Sequence, residues 1–160
     1  MKPNIRPMTS KDKPALMRIL RVVPEFQSAD LIVAEEVLDS FLHDPPNSGY
    51  HVLVAELGSA VAGYICYGPT PLTQGTWDIY WMAVAPETQG QGIGRALLAF
   101  AECKIRESRG RLTLIETSSK PEYERTRHFH YLQGYELICS IADFYAPGED
   151  KIILGKRFNH

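Results

Sequence analysis

Apolar and polar positions change period repeatedly along the chain, and each change predicts an element. Asn4 to Met8 predicts a short strand, and Thr9 or Ser10 can cap a helix running to about Val23. Ala29 to about Leu42 predicts a second helix, apolar at Leu31, Ile32, Val37, Leu38 and Phe41 and ended by Pro45 and Pro46. His51–Leu57 and Ala60–Tyr67 are rich in Val, Ile and Tyr and flank Gly58-Ser59, which predicts a hairpin. A turn-rich connection from Gly68 to Gly75 leads to a β-branched and aromatic strand, Thr76–Val84. From about Gly92 to Ser108, Ile93, Leu97, Phe100 and Ala101 recur at i, i+4, i+7 and i+8, the stripe of an amphipathic helix that Gly110 stops. Leu112–Thr117 predicts a strand, Pro121–Gln133 a helix, and Tyr135–Ala142 with Lys151–Arg157 a closing pair of strands. The order predicts an α/β sandwich with a mixed sheet, one domain over residues 1–160 with no internal repeat or linker.

Composition narrows the function. The 160 residues are 44% hydrophobic and 22% charged, with a formal net charge of −2 and no basic run, so the footprint of a nucleic-acid binder is missing. No apolar stretch approaches a membrane span and the N-terminus does not read as a signal peptide, so a cytoplasmic protein without a membrane partner is expected. Cys66, Cys103 and Cys139 are odd in number and widely spaced; reduced thiols buried as small hydrophobes are expected. His128 and His130 diverge on the predicted helix, and His43 and His51 lack ligand spacing, so no metal is expected.

The segment from Val84 to Arg95 lies between a strand and a helix. Gly90, Gly92 and Gly94 strip side chains from its turn, and the unpaired N–H groups of the following helix converge there, so an anion such as a phosphate can bind. Gln89, Gln91 and Arg95 can add donors. The P-loop pattern fails for want of Gly-Lys-Ser/Thr, and the dinucleotide fingerprint fails because Arg95 stands where its third glycine belongs.

Trp81-Met-Ala-Val-Ala-Pro86, then Gln89-x-x-Gly92-x-Gly94 and Leu97-Leu98, resembles the acetyl-CoA motif of the GNAT N-acetyltransferase superfamily, Arg/Gln-x-x-Gly-x-Gly/Ala. Arg127 to Tyr135 resembles the family's Ala-x-x-Phe-Tyr-x-x-x-Gly-Phe, and the element order matches over nearly the whole chain. The resemblance implies the GNAT-type acyl-CoA N-acyltransferase fold, a mixed, mostly antiparallel central sheet flanked by helices. It implies an enzyme that transfers acetyl from acetyl-CoA to a primary amine by direct attack in a ternary complex. Met82, Ala83 and Val84 would pair with the pantetheine arm, the Val84 N–H would stabilise the oxyanion, and amides from Gln89 through Gly90, Gln91, Gly92, Ile93 and Gly94 to Arg95 would hold the diphosphate. Tyr123 and Thr126 complete the expected cofactor contacts, although the family's usual Asn is replaced by Tyr123.

An alkylammonium has a pKa of about 10.4, so attack calls for a base. Glu116 is favoured, at the end of the strand facing the thioester slot; Asp78 is second. Where the family has its Tyr acid this chain has His130; His130, the neighbouring Tyr131 or no side chain at all remain open as the proton source. Tyr80, Asp143 and Tyr145 are expected on the acceptor side. The acidic loop of Asp143, Glu149 and Asp150 favours a cationic acceptor, such as a polyamine, a lysine side chain or an amino sugar, and a small-molecule amine is the favoured partner. The alternatives are a non-catalytic acyl-CoA sensor and a protein N-terminal or lysine acetyltransferase. A terminal sheet edge offers a route to a homodimer.

Overall fold

The computed structural model describes residues 2–159. Strand β1 (Asn4–Pro7) leads through a 3-10 turn, Ser10–Asp12, into helix α1 (Lys13–Val22). Thr9 is the cap: its N–H donates to Asp12 Oδ2 at 2.8 Å. Arg6 Nη1 pairs with the same carboxylate at 2.8 Å and, with help from the Thr9 donors, holds its pKa down. Helix α2 (Ser28–His43) is followed by β2 (His51–Leu57), β3 (Ala60–Pro69) and β4 (Thr76–Val84), then α3 (Ile93–Glu107), β5 (Leu112–Ser118), α4 (Glu124–Leu132), β6 (Glu136–Ala146) and β7 (Glu149–Arg157).

The seven strands form one sheet in the order β1-β2-β3-β4-β5-β7-β6. Only β4 and β5 run parallel, as their connection through α3 requires; every other pair is antiparallel. Two cores lie on opposite faces. Leu16, Leu20, Leu38 and Phe41 of α1 and α2 pack on Val52, Val54 and Tyr64. Ile93, Leu97, Ala101 and Ile105, the stripe of α3, pack on Ala55, Ile65, Ile79 and Ile115. Burial pushes the Cys66 thiol up to about 12, so it stays protonated.

The predicted elements are present, with two differences. The closing strands are longer than expected and meet in a tight turn, because Asp143 adopts φ +57° and its Oδ1 accepts the Gly148 N–H at 2.7 Å. Cys66 is buried as expected, but Cys103 and Cys139 are exposed. Among the described residues no helix is long and apolar enough to cross a membrane.

Candidate active site

The site begins where two parallel strands part. β4 pairs with β5 only from Thr76↔Leu112 to Ile79↔Ile115. Beyond that point β4 continues on β3 as far as Gly63↔Val84, and β5 continues on β7 as far as Ser118↔Lys151. The β4 edge facing the gap therefore has no strand partner from Tyr80 to Val84, and its backbone groups are free for a ligand that lies like a strand. Two cavities open on the gap.

One has a volume of about 450 Å3. Met82, Ala83 and Val84 form its sheet side; Gln89, Gly90, Gly92, Ile93, Gly94 and Arg95 form its loop side, and Thr126 closes it from α4. Gly92 sits at φ +80° as the residue before α3, and no side chain caps the helix there. The helical bonds start with Ala96 N–H to Gly92 O at 3.0 Å, so the amides of Ile93, Gly94 and Arg95 lie ahead of any intrahelical acceptor. A Cβ on Gly92 would meet nothing within 4 Å, since the cavity fills that side. This is a site for an anion at a helix N-terminus with an unpaired strand edge leading away from it. Of the residues expected here, Gln91 does not line the cavity, and Tyr123 lies elsewhere.

The second cavity, about 630 Å3, is built from five separate parts of the chain. Phe26, Gln27 and Asp30 come from the start of α2, Asp78 to Met82 from β4, and Ile115 to Ser118 from β5. Lys120, Tyr123, Thr126 and His130 come from α4 and the turn before it, and Tyr145 and Glu149 from the β6–β7 hairpin. Met82 and Thr126 line both cavities, so the two meet at these residues.

Carboxylates dominate the second cavity. Glu116 pairs with Lys151 Nζ at 2.9 Å, and Glu149 with Lys120 Nζ at 3.5 Å. Asp78 accepts the Thr70 hydroxyl at 2.6 Å and Asp30 the Gln27 N–H at 2.9 Å; among the described residues neither carboxylate forms an ion pair. Burial, with Asp78 close by, pushes the Tyr80 phenol up to about 12, so it remains a neutral donor. Tyr123 donates its hydroxyl to Glu25 O at 2.8 Å and burial raises its pKa to about 12; it ties the turn before α4 to the α1–α2 loop.

His130 is 3% exposed, packed edgewise against Phe129 and Tyr135, and its Nδ1 is buried with no protein partner. Burial lowers its pKa to about 4, so at neutral pH it is a neutral imidazole and not an imidazolium acid. Tyr131 is exposed and lines neither cavity. Asp143 lines neither, its carboxylate being held in the hairpin turn. The sequence reading missed Arg125 and Phe129 in the first cavity. Their i, i+4 spacing puts them on one face of α4, and the Phe129 ring lies 3.5 Å from where a Gly94 Cβ would be. Phe26, Gln27 and Asp30 are not singled out by any motif in the sequence.

A family profile, the Acetyltransferase (GNAT) domain, matches residues 48–137, more than half of the chain. A structure from Desulfovibrio desulfuricans, described as a GNAT-family acetyltransferase, is 38% identical, covers 97% of this chain and 98% of its own, and superposes with a TM-score of 0.93. An uncharacterised N-acetyltransferase of Methanocaldococcus jannaschii is 28% identical over 149 residues, 85% of this chain and 91% of its own length. The ribosomal-protein-alanine N-acetyltransferase of Brucella melitensis is 26% identical, covers 97% of this chain and 99% of its own, and has a TM-score of 0.75. With its split sheet and its glycine turn at the head of α3, this chain belongs to the GNAT acetyltransferase family.

Proposed function

We propose that this chain transfers an acetyl group from acetyl-CoA to the primary amine of a small cationic acceptor, by direct attack with both substrates bound. The observation that carries this reading is the junction at Met82 and Thr126, where an anion-binding cavity meets an acidic one. The donor's diphosphate fits the free amides of Ile93, Gly94 and Arg95, and its pantetheine arm fits the unpaired edge of β4. Both fits rest on backbone groups, which suits a ligand whose contacts at this point are phosphate oxygens and amides.

The acceptor side favours a cation because Asp30 and Asp78 face the cavity without a paired cation. It favours a small molecule because α2 on one side and the β6–β7 hairpin on the other wall the space. Glu116, the first β5 residue past the split, takes the proton of the attacking ammonium, directly or through water, while Asp78 and Tyr80 orient the amine. His130 contributes a neutral N–H as a hydrogen-bond donor in the larger cavity; as the C–S bond breaks and the amide forms, the departing thiolate is protonated from solvent or by the proton that the attacking nitrogen of the tetrahedral intermediate gives up.

Purified protein with acetyl-CoA and a panel of amines, read as released thiol, tests this. Turnover is expected on small dicationic or polycationic amines and amino sugars. Turnover confined to peptides would favour a protein acetyltransferase, the activity named for the Brucella relative. Acetyl-CoA binding without turnover on any amine would favour a sensor, the reading suggested by a buried neutral His130 where the family resemblance calls for Tyr.

A further inference from the structure

Four carboxylates line the larger cavity, Asp30, Asp78, Glu116 and Glu149, and Lys120 lines it with them. Among the described residues Lys120 is the only lysine or arginine there. Its backbone is fixed on both sides. The N–H donates to Ser118 Oγ at 3.1 Å, and the carbonyl accepts Arg127 Nη1 and the Tyr123 N–H, each at 3.0 Å. Its side chain is held less firmly. The ammonium lies 3.5 Å from Glu149 Oε1, while the other oxygen of that carboxylate accepts the Ser118 hydroxyl at 2.7 Å. A pair at that separation, with its lysine side chain 35% exposed, leaves the stem free to swing. Lys151 is the contrast: it does not line the cavity, its ammonium lies 2.9 Å from Glu116 and 4.3 Å from the centre of the Phe144 ring, and its side chain is 15% exposed.

The reach is set by the same turn. Lys120 directly precedes the 3-10 turn Pro121–Tyr123 and α4, and Thr126, where the two cavities meet, lies on the first turn of that helix. Three residues of 3-10 turn and three of α-helix rise roughly 10 Å. An extended lysine stem reaches about 6 Å from its Cα, and reacting atoms stand about 3 Å apart, so the amine spans most of that run. We propose that this chain acetylates itself on Lys120, whose ε-amine enters the larger cavity of its own molecule and takes the acetyl group of bound acetyl-CoA. This rests on acetyl-CoA being the donor, as in the proposed function. The ammonium gives one proton to Glu149 or Glu116, and the neutral nitrogen attacks the thioester carbon. The N–C bond forms, the C–S bond breaks, and the nitrogen's second proton goes to the departing thiolate. The products are acetyl-lysine, free coenzyme A and one proton. Acetylation removes the charge of Lys120 and ends its pair with Glu149. The cavity then presents its four carboxylates with no cation among its lining residues, which draws a cationic acceptor more strongly.

Purified chain incubated with acetyl-CoA and no added amine should gain one acetyl group by intact-mass spectrometry. Peptide mapping should place it on Lys120, labelled at least about 10-fold faster than any other lysine because its amine is held beside the donor. The rate should not depend on protein concentration, and Gly92→Glu, which blocks the donor site, should abolish it. Lys120→Arg should take up no acetyl group while still binding coenzyme A; should that variant not fold, the peptide map of the wild type decides. Label spread evenly over the exposed lysines, a rate that rises in proportion to protein concentration, or equal labelling of Gly92→Glu overturns the proposal. Calorimetry with acetyl-CoA separates this inference from the one it rests on. A chain that binds acetyl-CoA and leaves Lys120 bare overturns self-acetylation alone, whereas a chain that does not bind acetyl-CoA overturns the proposed function with it.

Discussion

The two cavities that meet at Met82 and Thr126 are built in different ways. The wall that holds an anion is nearly continuous in sequence, from Met82 to Arg95, and its working groups are backbone amides. The wall of the larger cavity is assembled from five separate parts of the chain, and the groups it presents are side chains, among them Asp30, Asp78, Glu116, Tyr80 and His130. Amides at a helix start bind any phosphate, so that cavity serves a common donor. Side chains gathered from distant segments can differ between relatives with the same fold, so under the proposed function the other cavity would carry acceptor choice. The comparison teaches that, under the proposed function, donor and acceptor recognition would be separable, and four measurements test that reading.

The largest expected effect is on the loop. Gly92→Glu puts a carboxylate where the diphosphate belongs and strains a residue at φ +80°. Like charge in a tight site costs several kcal/mol, so coenzyme A affinity should fall about 1,000-fold by calorimetry, with the melting temperature of the free protein lowered by only about 2–8 °C through the backbone strain. Retained affinity would mean that the diphosphate binds elsewhere.

His130 gives the next effect. Its folded pKa of about 4 lies below the ordinary histidine value of 6.5, so the unfolded chain binds the extra proton between those values. The stability from keeping it neutral is fully present above 6.5 and is lost as pH falls toward 4, a change of about 3 kcal/mol. Urea unfolding across that window should show this slope, and His130→Phe should flatten it. An unchanged slope in the variant would place the titration at another group; His51, also lowered by burial, is the first to test.

Glu116→Gln should lower kcat by about 100-fold or more while leaving coenzyme A affinity unchanged. If both fall together the cavities are coupled; if kcat is intact at neutral pH, Glu116 is not the base. The smallest effect is expected from Asp78→Asn, which keeps the Thr70 contact and removes one charge. It should raise KM for a cationic amine about tenfold, with less effect on kcat and a weaker dependence on salt. An equal rise for an uncharged acceptor would point to lost packing instead.

Most of the fold was legible because its periods are long and clean. Ile93, Leu97 and Ala101 mark α3, and the strand Thr76–Val84 matches its predicted bounds. The ends of β6 and β7 were not legible: Asp143-Phe144-Tyr145 reads as a loop, and becomes strand because the Asp143 carboxylate takes the Gly148 N–H. Cys103 and Cys139 were misread as buried because a thiol's place depends on which face of its element is covered. In the site, the glycine turn was legible since spacing alone brings its amides together. Tyr123 was expected beside the donor and lines the larger cavity instead, its hydroxyl bonded to Glu25 O in a distant loop.

The sequence by itself determined the element order, the anion-binding turn and the likeness to the family, because each depends on neighbours within about 15 residues. Only the tertiary structure decided where β4 and β5 part, which carboxylates line the larger cavity, that His130 is neutral, and that β6 is an open edge. Burial, pairing and charge at these places come from contacts between segments far apart in the chain, and no local pattern records them.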